Sequence, residues 1–201
     1  MKNLVLNSLI NNIQRYYSYD EIKLKEIRYG LEAIYLSIIK LILVFIISIL
    51  LNTTKELILL FIFYGLLRLT GFGLHAKKSI HCWLTSIPTF TIIPFLIKNF
   101  SINEKYMYIP LVICFILLSI FAPSDTEKRP LIRKRKRIIY KILTITLTTS
   151  YIIYILYSNN NYVNNILFYS IIIETLLVIP LSYKLLGLKY NNYKRYMKGG
   201  T

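Results

Sequence analysis

Four stretches of this 201-residue chain run almost without charge: Leu31–Leu51, Tyr106–Ala122, Ile138–Tyr157 and Ile166–Tyr183. Bilayer hydrocarbon is about 30 Å thick, which a helix of roughly 20 apolar residues crosses. Inside lipid every backbone polar group must be satisfied within the protein, so such stretches fold as helices. Two shorter runs of 11 residues lie between the first and second stretch, Leu57–Leu67 and Ile87–Ile97, the latter with Pro88 and Pro94. These read either as short, kinked spans or as re-entrant elements buried against other helices. The expected fold is an all-α, polytopic integral membrane protein with about six transmembrane helices, four of full length and two short. Residues 1–201 are expected to form a single membrane-embedded domain.

Composition agrees. Apolar residues make up 55% of the chain, charged residues 17%, and mean hydropathy is +0.52. Those values exclude a disordered chain, a polar solenoid and an ordinary soluble globule. Lys and Arg total 25 against 9 acidic residues, a net charge of +16. Nucleic-acid binders lack long uncharged apolar runs, so no nucleic-acid partner is expected. In a membrane protein the same excess sets orientation. With the N-terminus inside, twenty basic residues fall in inner segments, only Lys55, Lys98 and Lys105 fall outside, and Lys40 and Lys141 sit within spans. That predicts a multi-pass membrane protein with both termini cytoplasmic. The densest charge, Arg133–Arg137, closes a basic cytoplasmic loop at 122–137 and reads as an anchor touching the anionic inner leaflet.

Residues 1–30 are not a signal peptide, because Asn7, Asn11 and Asn12 interrupt the apolar run and no small-residue cleavage site follows. Leu6, Leu9, Ile10, Ile13 and Tyr17 recur at helical spacing. The segment reads as an amphipathic helix, either interfacial or packed in the cytoplasm.

Residues 68–86 differ from their surroundings. The run Arg68-Leu-Thr-Gly71-Phe-Gly73-Leu-His75-Ala-Lys77-Lys78-Ser-Ile-His81-Cys82 holds both histidines and one of two cysteines. A thiol is nucleophilic as thiolate, a form that neighbouring cations favour, and imidazole can take and return its proton. On a continuous helix residues seven apart are separated by about 10.5 Å along the axis, whereas proton transfer needs roughly 3 Å. A partnership of His75 and Cys82 therefore requires a break in the helix, which Gly71 and Gly73 permit. His81 points about 100° away from Cys82 on a helix and is the weaker base. Spacing alone leaves catalysis, apolar packing and metal binding open, although the pattern is unlike established zinc sites. Cys114, inside a span, reads as packing, and two cysteines make no disulfide framework.

With Arg68, Gly73, His75 and Cys82 in this order, the chain resembles the accessory gene regulator protein B (AgrB) family, membrane cysteine endopeptidases of quorum sensing. Two further stretches match, Ala122–Pro130 before the basic run, and Ile171 to Glu174 with Pro180, so the resemblance covers essentially the whole chain. It implies cleavage of the C-terminal part of an AgrD-type precursor peptide, with His75 and Cys82 as the catalytic pair. An acyl-enzyme on Cys82 would then be released by a side chain of the peptide, closing a thiolactone or lactone ring. Arg68, Gly73, Lys77 and Lys78 are the expected supporting and substrate-facing residues, with no metal or other cofactor, and a homodimer is a further expectation. Glu174, charged in mid-span, is expected to pair with Lys40 or Lys141, or to orient His75. The basic run is also expected to attract an acidic precursor. Two rival readings are a peptide exporter or small transporter lined by Lys40, Lys141 and Glu174, and a membrane acyltransferase using Cys82.

Overall fold

A computed structural model describes residues 2–17, 19–74, 79–127 and 130–194, with backbone alone for 79–81. These residues form eight helices and no strands: α1 Lys2–Tyr16, α2 Glu21–Leu50, α3 Thr54–Gly71, α4 Ser79–Asn99, α5 Glu104–Phe121, α6 Lys134–Tyr157, α7 Asn161–Val178 and α8 Pro180–Leu185. Helices α2, α5, α6 and α7 are long and apolar enough to cross a membrane. The protein is an all-α, polytopic membrane protein. The two short runs lie within helices of 18 and 21 residues, about 27 and 31 Å long. Their polar ends, which include Lys55, Glu56 and Arg68, made the runs look short. Pro88 and Pro94 lie inside α4 without ending it.

The chain divides into two compact units, residues 1–47 and 48–201. In the first, the stretch 1–30 is not one helix. Helix α1 stops at Tyr16, and α2 starts afresh where the Asp20 carboxylate accepts the Lys23 backbone N–H at 3.1 Å, a side-chain cap for a new helix. Lys2 reaches Glu32 on α2 in an ion pair at 2.5 Å. Ile34, Ile38, Leu41 and Ile42 remain exposed on α2, as suits a helix whose solvent is lipid.

The second unit is built around α7. Of its apolar window 61% is buried, against 22% for α5 and α6, and it packs on α3, α4, α5, α6 and α8. Leu67, Met107, Leu111, Cys114, Ile155 and Ile171 belong to one apolar cluster, and Leu60, Ile97, Ile166 and Ile173 to another. Cys114 is a packing residue, buried in the first cluster. At one end of this unit the Lys98 ammonium donates to the Asn52 carbonyl, and Asn161 bonds Ser101. At the other, the ends of α3, α5 and α7 meet at Gly71, Ser124 and Val178. Helices α3 to α7 therefore alternate in direction. Lys55, Lys98 and Lys105 gather at the first end, and Arg68 and the basic start of α6 at the second.

The loop after α5 also anchors the C-terminal segment. Asp125 is buried, and its carboxylate accepts the backbone N–H groups of Leu131, Asn192 and Tyr193 at 3.3, 2.9 and 2.7 Å. Asp125→Ala strands these donors, a loss of about 1–3 kcal/mol. The variant is expected to unfold at lower temperature in detergent and to be clipped faster near residues 190–194. Unchanged clipping would exclude the clasp.

Candidate functional site

The end of α7 generates the site. A residue before proline is driven out of the helical region, and Ile179, before Pro180, has ψ 143°. Helix α7 stops at Val178, leaving terminal carbonyls that need donors. The Ile179 N–H takes the Thr175 carbonyl at 3.1 Å, and the Ser182 hydroxyl takes that of Leu176. The last two carbonyls are satisfied from elsewhere in the fold. Leu74 N–H donates to Leu177 at 2.8 Å, and the Ser124 hydroxyl donates to Val178 at 2.7 Å.

Helix α3 is shaped to reach them. Leu60, Tyr64, Arg68 and Gly71 recur on one helical face. A Cβ at Gly71 would run into the Glu174 carboxylate on α7, so glycine permits the approach. Phe72 (φ 63°) and Gly73 (φ 77°) then take left-handed backbone and end the helix. Ordinary side chains resist that conformation. Here it is held by Gly73 N–H to the Ser124 carbonyl at 2.9 Å, Ser124 N–H to the Gly71 carbonyl at 3.0 Å, and the Phe72 ring against Tyr140 with centroids 4.8 Å apart.

Arg68 completes the arrangement. Its Nη2 donates to the Leu74 carbonyl at 2.5 Å, and its Nη1 lies 3.9 Å from Glu174 Oε2. Glu174 is fully buried, and neither of its carboxylate oxygens accepts a hydrogen bond among the described residues. Among the described residues of the second unit the cation facing this carboxylate is Arg68, and Lys141 lines a separate cavity. Both backbone groups of Leu74 are pinned, one by α7 and one by the guanidinium that Glu174 faces.

Cys82 occupies the first turn of α4, half-buried, with Sγ 3.8 Å from the Ser86 hydroxyl. Tyr64 lies one turn before Arg68 on the same face of α3. His75, Lys77 and Lys78 lie outside the described residues, as does the His81 side chain. Helix α3 ends at Gly71, Phe72 to Leu74 are not helical, and Cys82 belongs to α4, so Arg68 and Cys82 stand on different helices. Arg68 and Gly73 are brought together, for a Cβ on Gly73 would strike Arg68 Nη1 and stand 2.8 Å from the Leu177 carbonyl. Tyr64, Ser124 and Leu177 were not foreseen from the residues. Tyr64 shares the Arg68 face, a readable signal, but the backbone role of Leu177 leaves no trace in residue type.

The accessory gene regulator B family model matches residues 6–178. An AgrB-like protein of Clostridium acetobutylicum is 29% identical over 184 residues, 92% of this chain and 88% of the relative. An AgrB-like protein of Listeria monocytogenes serotype 4a is 30% identical over 179 residues, 88% of this chain and 87% of the relative. The accessory gene regulator protein B of Staphylococcus aureus is 27% identical over 187 residues, 88% of this chain and 97% of the relative. No solved structure matches.

Two glycines separate backbone need from simple space. Gly73→Ala places a side chain at positive φ and against Leu177, whereas Gly65, within α3, has nothing within 4 Å of an added Cβ. Gly65→Ala should leave the thermal midpoint equal or higher, since alanine gains up to about 1 kcal/mol in a helix. Gly73→Ala should lower it clearly, as read by circular dichroism in detergent. Equal midpoints would mean that residues 71–74 are not held as described.

Proposed function

The chain belongs to the accessory gene regulator B family of the agr quorum-sensing system, and from that premise we propose that it is a membrane-embedded cysteine endopeptidase. Its substrate is an AgrD-type precursor peptide, and it cuts off the C-terminal part. The observation that carries this reading is the pinning of Leu74, directly before His75, by the Leu177 carbonyl and the Arg68 guanidinium, in a segment that leaves α3 after Gly71 and leads to Cys82 in α4.

In this reaction His75 accepts the Cys82 proton, and the thiolate attacks the scissile carbonyl carbon. The carbon–nitrogen bond then breaks, the imidazolium protonates the departing amine, and the remaining peptide is held as a thioester on Cys82. A Cys or Ser side chain within the peptide gives its proton to the now neutral His75 and attacks that thioester, closing the ring as the bond to Cys82 Sγ breaks and returning the thiolate. Arg68 positions the segment before the base, Gly73 provides the left-handed turn, and Lys77 and Lys78 supply cationic charge for the precursor. Charge segregation along the second unit supports placing the Arg68 end at the inner surface of the cell membrane, with both termini cytoplasmic. An exporter route lined by Glu174 fits less well, because that side chain is sealed between Arg68 and Gly71.

Cys82→Ala and His75→Ala are each expected to abolish cleavage of a precursor peptide in proteoliposomes, while Cys114→Ala cuts normally. Product masses decide the matter, and cleavage by pure Cys82→Ala protein would end the cysteine-protease reading. Glu174→Gln removes the charge facing Arg68 and loosens the segment before His75. Misplacement by about 1 Å can cost on the order of a hundredfold in rate. The variant is therefore expected to lose kcat by tenfold or more with little change in KM. A rise in KM alone would assign Glu174 to substrate binding instead.

A further inference from the structure

A cavity of about 460 Å³ lies where the end of α5, the start of α6 and the segment at residues 190–193 meet. Lys134, Arg137 and Lys141 line it and no acidic residue does. Their spacing of three and then four residues puts them on one face of α6, along roughly 10 Å of its axis. Arg137 lies over the Tyr193 ring, 3.2 Å from its centroid, a cation–π contact that leaves its charge uncompensated. Lys134 and Lys141 form no ion pair among the described residues. Lys141 also sits inside an apolar stretch, where a cation is costly unless an anion meets it.

We propose that this cavity binds the phosphodiester headgroup of an anionic phospholipid. The opposite wall selects the class of anion. Ile120 and Ile138 line the same cavity and are 60% and 50% exposed, so in a membrane they face hydrocarbon. A phosphate held by the three cations would carry its acyl chains along these isoleucines. Free phosphate or a soluble acidic peptide would match the charge and leave the apolar wall uncovered. The tyrosine at 193 stands at the interface, where amphipathic rings are favoured. The basic run is thereby divided in its duties. Arg133 and Lys136 line a different cavity beside Phe72 and Tyr140, and only Lys134, Arg137 and Lys141 share this one. The site is distinct from a diffuse attraction of all basic residues to an anionic leaflet, and it does not depend on the proposed peptidase activity.

The test titrates the full-length protein in neutral detergent with short-chain phosphatidylglycerol, short-chain phosphatidylcholine, inorganic phosphate and hexaglutamate, read by native mass spectrometry. One phosphatidylglycerol per chain is expected, bound at least tenfold more tightly than phosphatidylcholine. The triple variant Lys134→Gln, Arg137→Gln, Lys141→Gln should weaken it by about a hundredfold, the strength of a few cations beside an anionic headgroup. The charge-matched triple Arg133→Gln, Arg135→Gln, Lys136→Gln should bind within about twofold of wild type, since none of its positions lines the cavity. Lys134→Gln alone, at an exposed position, carries the same comparison against Arg135→Gln should the triple variant misfold. Equal losses in the two sets would mean diffuse attraction and overturn the proposal. So would phosphate or hexaglutamate binding as tightly as phosphatidylglycerol.

Discussion

A helix that ends inside a protein must find donors for its last carbonyls, and the second unit is organised around how α7 meets that need. An unpaired buried carbonyl costs free energy comparable to a lost hydrogen bond, and water is scarce beside a membrane core. Pro180 stops α7 at Val178. The carbonyls of Leu177 and Val178 are then taken by Leu74 and Ser124, which come from two different loops. One helix terminus thus draws together the end of α3, the loop after α5 and the segment leading to the candidate nucleophile. The left-handed turn at Phe72 and Gly73 follows, because no helical continuation of α3 presents the Leu74 N–H to Leu177.

The ion pair one turn earlier works in the same direction. A fully buried carboxylate is tolerable only opposite a cation, and Glu174 meets Arg68 across a contact that Gly71 keeps close. The pair fixes how α3 and α7 lie against each other. It also ties the guanidinium to the Leu74 carbonyl, so a charge needed for packing sets the position of the backbone that precedes His75. Structure and the proposed chemistry therefore share the same residues, which is why a conservative change at Glu174 is a sharper probe than a deletion.

Much of this was legible in the sequence, and for a physical reason. Apolar run length and the distribution of Lys and Arg answer to lipid and water, which act on each segment separately. The four long helices and the gathering of basic residues at one end follow from those alone. The Arg68, Gly73, His75 and Cys82 pattern singled out Arg68 and Gly73, which the structure brings together around Leu74. Local reading erred where polar residues belong to a helix. Lys55, Glu56 and Arg68 lie inside α3, so the helix is longer than its apolar run, and the amphipathic start divides at Asp20, where a side chain caps a new helix.

Partnership is what the tertiary structure decided. Glu174 was visible as a charge in a span, but its choice of Arg68 depends on α3 lying beside α7. Leu177 acts through a carbonyl that every residue has, so nothing in its identity could reveal it. The same holds for the division of Arg133 to Lys141 between two cavities, which the phase of α6 imposes once α5 and the C-terminal segment pack against it. Sequence alone determined which segments enter the membrane, because solvent acts on each residue where it stands. Which groups meet across the bundle was left to packing, because that depends on the directions and ends of helices far apart in the chain.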